Sequence, residues 1–110
     1  MNSIDDLLSL KIALREFAEA RDWRQFHTPK NLVMAMIVEA AELVEHFQWL
    51  TPEQSRTLSP DKLLAVRDEI ADTLIYLVEL ADTLGIDLIA AARDKMAKNA
   101  VKYPAPPREP

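Results

Sequence analysis

The 110-residue chain contains no cysteine and a single glycine, Gly85. Without cysteine there can be no disulfide, no thiolate nucleophile and no Cys-ligated zinc; that absence fits a cytoplasmic protein. One glycine is too few for a Gly-rich phosphate loop or a dinucleotide-binding turn. It is also too few for the many tight turns of an all-β fold. Long apolar runs are missing as well, because Glu39, Glu42, Glu79 and Asp82 interrupt the hydrophobic segments and keep every run short of membrane-spanning length. Basic charge is in deficit: 13 Lys and Arg against 18 Asp and Glu give a formal net charge of -5. Such a chain is a poor electrostatic partner for a nucleic-acid polymer or an anionic membrane. A single nucleotide is still accessible if a divalent cation and a local basic cluster offset the carboxylates. The first residues, MNSIDD, are acidic and do not resemble a signal peptide.

Hydrophobic residues make up 49% of the chain and charged residues 28%, the composition of a folded domain. Helix punctuation divides it. Ser3 is the expected cap of a first helix, with Asp5 and Asp6 in its first turn and Leu7, Leu10, Leu14 and Phe17 as its stripe to about Arg21. The stretch DWRQFHTPKN breaks the period, and Thr28-Pro29 opens a second helix to about Leu50. Thr51-Pro52 starts a short helical turn. Ser59-Pro60 opens a long helix with Leu63, Val66, Ile70, Leu74, Leu77, Ala81 and Leu84 on one face, and Gly85 ends it. Asp87 caps a last helix from Leu88 to about Lys102, which YPAPPREP stops. The expected fold is all-α: one domain over 1–104, a four-to-five-helix antiparallel bundle, with a mobile Pro-rich tail over 105–110. The apolar faces are wider than one small bundle needs, so a homo-oligomer, a dimer or a dimer of dimers, is expected.

Chemistry concentrates in two acidic pairs. Glu39 and Glu42 lie about 60° apart on the second helix, and Glu39 falls among Leu32, Ala35, Leu43 and Leu50. Glu69 and Asp72 repeat the i,i+3 spacing on the long helix, with Asp68 and Glu79 on the same side, opposite the main apolar stripe. If both pairs face one enclosed space, four carboxylates converge at a large desolvation cost unless they are paired. Lys62 is the only basic residue near either face. A divalent cation is the simplest counter-charge, and all-oxygen ligands suit Mg²⁺ or Mn²⁺ rather than Zn²⁺. A di-iron site needs Glu-x-x-His; His46 lies four residues after Glu42 and seven after Glu39, which is the wrong spacing. The pattern leaves open a second reading, a polar bundle interior or subunit interface.

EAAE, a gap of 26 residues and then EIAD resembles the ExxE…ExxD signature of the MazG-like, all-α nucleotide pyrophosphohydrolases. RDWRQFHTPKNL, EAAELVEHFQW, DTLIYLVELA and KMAKNAVKYP together look like the dCTP pyrophosphatase branch, over roughly Phe17 to Pro104. The resemblance implies an enzyme that converts a nucleoside triphosphate to the monophosphate and pyrophosphate. Glu39, Glu42, Glu69 and Asp72 would be its Mg²⁺ ligands. It implies that Trp23 and Trp49 form the base pocket with His27 and Tyr76 nearby, and that Lys95, Asn99, Lys102 and Tyr103 reach the phosphates or close the site. Leu14 departs from the resemblance, since members associated with dCTP preference carry His there.

The residues themselves are compatible with these roles. Lys95, Asn99 and Lys102, at i, i+4 and i+7, form a cationic stripe suited to a triphosphate, though a solvated face would look alike. Lys30 and Asn31 sit at a helix start, whose free N–H groups favour anions. Trp23 and Trp49, the only tryptophans, suit base stacking or the plugging of bundle ends. Phe17, Phe26 and Phe47 read as core. The implied reaction is attack by water, with Glu39 or Glu42 accepting its proton and no side-chain nucleophile. The expected function is hydrolysis of dCTP or a modified dCTP in nucleotide-pool cleaning. The alternatives are a broad-specificity nucleoside triphosphate pyrophosphohydrolase and a non-catalytic helical oligomerisation module.

Overall fold

The computed structural model describes residues 3–107; the part of the expected mobile tail that falls on 108–110 lies outside the described residues. Among the described residues there are five α-helices and no strand: α1 (Leu7–Ala20), α2 (Pro29–Glu45), α3 (Pro52–Ser55), α4 (Pro60–Thr83) and α5 (Leu88–Lys102). A 3₁₀ turn over Arg24–Phe26 links α1 to α2. The Thr-Pro and Ser-Pro starts act as their chemistry dictates. The hydroxyls of Thr28, Thr51 and Ser59 accept from the N–H groups of Asn31, Gln54 and Lys62, and each proline occupies the position where no donor is needed. The Asp87 carboxylate does the same for Ala90.

Two boundaries differ from the sequence reading. The cap of α1 is Asp6, not Ser3: its carboxylate accepts from the Ser9 N–H at 2.7 Å while the Ser9 hydroxyl accepts from the Asp6 N–H, a reciprocal capping box. α2 ends at Glu45, not Leu50, because the N–H groups of His46 and Phe47 turn to the tighter i→i−3 pattern, bonding Leu43 and Val44. Trp49 therefore sits in a turn beyond the helix.

Two further helix ends close with a left-handed residue. At Gly85 (φ 68°) the Gly85 N–H bonds the Asp82 carbonyl and the Ile86 N–H bonds the Ala81 carbonyl, a Schellman closure. α1 ends the same way at Asp22 (φ 56°), with Asp22 and Trp23 donating to Glu19 and Ala18. This second closure carries no glycine to announce it.

α2 packs lengthwise on α4, and α1 crosses α4. The buried apolar residues are Ala18, Leu32, Val66, Val78 and Ala81. Most of the apolar stripe of α4, Leu63, Ile70, Leu74, Leu77 and Leu84, is exposed. The acidic side of α4 is the one that meets α2. Val33, Met34, Ile37, Val38 and Val44 are likewise exposed on α2, and every described residue of α5 beyond Leu88 is exposed. Phe17 and Phe26 are not core either: Phe17 lies edge-on to Trp23 and under the Arg21 guanidinium, and Phe26 is open to solvent. The radius of gyration is 17.6 Å, against about 13 Å for a compact chain of this length.

Candidate metal centre and adjoining cleft

The i,i+3 pairs of α2 and α4 meet because the two helices run side by side. Glu39, Glu69 and Asp72 offer carboxylate oxygens that all lie within 4.8 Å of one another. Glu42 borders this group. Its charge acts on both Glu39 and Glu69, but it does not join the tight set. Burial, a shared proton-mediated contact with Glu69, and the charges of Glu42 and Asp72 push the Glu39 carboxyl up to about 7. Burial also raises Glu69, although its bond with Glu39 acts in the opposite direction. No basic side chain is among the groups acting on either residue. Glu69 Oε2 is buried with no hydrogen-bond partner. Like charges held together, a proton taken up near neutrality and an orphaned buried oxygen are what a hard divalent cation would relieve, and the donor set is all oxygen.

Tyr76 stands one turn beyond Asp72 on α4. Burial, then the charges of Glu39, Glu79 and Asp72, raise its hydroxyl, which stays protonated as a donor. One more turn along is Glu79, only 14% exposed at its side chain, with His27 Nδ1 3.9 Å from its carboxylate. Both line a cleft of about 290 Å³ with Leu14, Ala18, Val78 and Asp82. Arg15 crosses from α1 to hold Asp82 through Nε at 2.7 Å and a second, parallel bond. That pair keeps the Asp82 carboxyl below its ordinary value. A larger cleft, about 480 Å³ between Leu7, Leu8, Ile86 and Leu88, is lined by none of the acidic cluster.

The other expected site residues scatter. His27 is in the cleft, and the Trp23 ring lies 6.3 Å from its ring while packing on Phe17. Trp49 is 87% exposed and joins no aromatic cluster. The Asn31 side-chain amide donates to the Phe26 carbonyl at 2.9 Å, so it steadies the loop carrying Trp23 and His27; Lys30 is exposed. Lys95, Asn99, Lys102 and Tyr103 are exposed on α5 and bond to nothing on α2 or α4 among the described residues; Lys102 Nζ lies 5.3 Å from the Tyr103 ring centre. Sequence reasoning gave Glu79 and the Arg15–Asp82 pair no role at the site. The signal for Glu79 was present in the i, i+4, i+7 series of Asp72, Tyr76 and Glu79.

Residues 34–109 match the MazG-like family. The chain belongs to that family. Among MazG-like relatives, it is 46% identical to dCTP pyrophosphatase 1 of Homo sapiens over 92 residues, which are 82% of this chain and 54% of that protein. It is 43% identical to dCTP pyrophosphatase 1 of Mus musculus over 91 residues, 81% of this chain and 54% of that protein. The chain thus spans about half the length of the curated relatives it matches. Over nearly its whole length it superposes on the crystal structure of a pyrophosphatase from Archaeoglobus fulgidus DSM 4304, with a TM-score of 0.75 and 40% identity, covering 96% of this chain and 98% of that one. The all-α fold is therefore the MazG-like one. No described helix is long and apolar enough to cross a membrane.

Proposed function

We propose that this chain is a Mg²⁺-dependent nucleoside triphosphate pyrophosphohydrolase, cleaving a (d)NTP to the (d)NMP and pyrophosphate, with dCTP or a modified dCTP favoured and Mn²⁺ able to substitute. The observation that carries the reading is the orphaned Glu69 Oε2 within a group of carboxylates that repel one another and have no basic partner. Glu39, Glu42, Glu69 and Asp72 would hold the ion. When bound, the ion supplies Lewis-acid neutralisation of the charge that builds on the phosphoryl and leaving groups. The names of the MazG-like relatives support the same reaction. Nucleotide-pool sanitation in the cytoplasm is the corresponding role.

The chain's own residues then act as follows. A water oxygen bonds to the α-phosphorus as the bridging bond to pyrophosphate breaks, and the water's proton passes to Glu39 or Glu42. Tyr76 remains protonated and orients ligand or water by donating. His27 and Trp23 border the base, with Trp49 as a further wall. Lys30, Asn31, Lys95, Asn99, Lys102 and Tyr103 face the phosphates.

We infer that a second copy of the chain completes this arrangement in a dimer or a dimer of dimers. The chain exposes 9067 Å², about 2,900 Å² more than the roughly 6,200 Å² expected of a compact protein of its mass. Counted over two chains that excess is about 5,800 Å², at or above the upper end of obligate subunit interfaces, which bury about 2,000–5,000 Å² in total or more. The apolar stripes of α2 and α4 and the isolated position of α5 account for it.

Incubation with each dNTP and Mg²⁺, with products resolved, tests the reaction. Pyrophosphate and monophosphate are expected, and they are lost in Glu39→Gln and Asp72→Asn while the helical signal persists. No turnover of any nucleotide with Mg²⁺ or Mn²⁺ sinks the reading in favour of a non-catalytic module. Orthophosphate and diphosphate products mean that a different bond is cut.

A further inference from the structure

The cleft of about 290 Å³, lined by none of Glu39, Glu42, Glu69 and Asp72, holds Glu79, an acid whose carboxylate accepts no hydrogen bond among the described residues. Glu79 follows Asp72 by seven residues, which places it about 10 Å along α4 and only about 20° around it. Its side chain is largely buried, yet no hydrogen bond among the described residues reaches its carboxylate. Of the cations that line the cleft, Arg15 is held by Asp82 and Arg24 by Glu19 at 2.9 Å, and the charge of Lys11 acts on Asp82. His27, at 3.9 Å, is beyond hydrogen-bonding range. Leu14, Ala18 and Val78 supply apolar wall, and the cleft's 290 Å³ is at the small end for a ligand site. A largely buried carboxylate that accepts no hydrogen bond carries a desolvation cost, which a donor arriving with the ligand would relieve.

We propose that Glu79 reads the exocyclic amino group of the substrate's base and so determines specificity for an amino-pyrimidine over a keto-pyrimidine. The inference rests on the hydrolase reading above, with phosphates on the α2–α4 carboxylates and the base one to two turns further along α4. An ionised carboxylate only accepts hydrogen bonds. Cytosine presents an amino donor at its 4-position, where uracil and thymine present a carbonyl oxygen. The first pairs with Glu79; the second sets oxygen against oxygen at a largely buried carboxylate. Burial raises Glu79 above its ordinary value, which an arriving donor would offset. Glu79 is a specificity residue rather than a catalytic one, because it lies well away from the reacting phosphorus.

The test compares kcat/KM for dCTP and dUTP with Mg²⁺ in wild type and in Glu79→Gln, whose amide can serve either base. Wild type should favour dCTP by roughly tenfold or more. Glu79→Gln should reduce that ratio at least severalfold, through a higher KM for dCTP and an unchanged or improved dUTP reaction. Retained dUTP turnover shows that the variant folds, and Glu79→Ala, which offers no pairing group, should also narrow the ratio. If wild type favours dUTP, or both variants keep the wild-type ratio, the inference is overturned while the hydrolase reading stands. If wild type turns over no nucleotide, both fall.

Discussion

Replacing Glu39 by Gln should make the metal-free protein more stable, not less. The oxygens of Glu39, Glu69 and Asp72 lie within 4.8 Å of one another. At that separation two unit charges repel by about 0.9 kcal/mol in water and by about 3.5 kcal/mol at an effective dielectric of 20. The cluster is half-buried, and its protons are shared at neutral pH, so the net relief is about 1–2 kcal/mol. For a domain of this size that corresponds to a rise in Tm of roughly 4–8 °C. The pH dependence has a definite sign. A carboxyl raised from 4.5 to about 7 in the folded state contributes its stability below 4.5 and loses it as pH rises through about 7. Metal-free wild type should therefore weaken across that window, whereas Glu39→Gln should lack this component. Mg²⁺ should reverse the wild-type loss: at ten times its dissociation constant it adds about 1.4 kcal/mol. Differential scanning at pH 8, at one protomer concentration, with chelator or with about 10 mM Mg²⁺, reads all of this. A lower metal-free Tm for Glu39→Gln, or an equal Mg²⁺ shift in both proteins, would refute the cation argument.

Other outcomes follow from single features. Gly85→Ala should cost about 1–2 kcal/mol in urea unfolding, because φ is 68° even though a Cβ there would meet nothing within 4 Å. Arg15→Met should lower Tm near neutral pH by releasing α1 from α4. Asp82 is depressed in the folded state, so this deficit should be present above its unfolded value and vanish as pH falls through the folded one; a deficit that persists in acid rules out the ion pair as its cause. Leu74→Lys, on the exposed stripe of α4, should shift sedimentation toward the monomer, and an unchanged sedimentation coefficient removes that face from the interface. Lys95→Ala with Lys102→Ala should raise KM for the triphosphate by about tenfold or more without altering the helical signal, and an unchanged KM detaches α5 from the phosphates.

The helix starts were legible because Thr-Pro and Ser-Pro pairs combine a side-chain acceptor with a residue that needs no N–H partner. Gly85 was legible because only glycine takes φ 68° freely. Asp22 occupies the same left-handed position without glycine, so the end of α1 was marked only by a lost period. The i,i+3 acids were legible as two pairs on two helices. Their spacing could not say that Glu42 would stand at the edge while Glu39, Glu69 and Asp72 closed up, since that depends on the relative rotation of α2 and α4. The docking face of α4 was not legible either. Its most apolar stripe is the natural core by periodicity, but α2 docks on the acidic side instead. Periodicity identifies the faces of a helix; it does not say which face is closed by the same chain. Trp49 was assigned to a helix end because nothing in FQWL breaks a helix, and the tightening after Glu45 lies in backbone bonds alone.

α5 leads to a consequence that concerns dilution. It has 15 residues, the length at which an isolated helix in water is only marginally formed. Beyond Leu88 every described residue is exposed, so its order depends on whatever it rests upon in the proposed assembly. If the proposed association holds, α5 should fray first as protomers are diluted below their dissociation constant, while α2 and α4 remain paired. The mean-residue ellipticity at 222 nm would then fall in proportion to that one segment before any global unfolding, and the fraying would report subunit occupancy without a label.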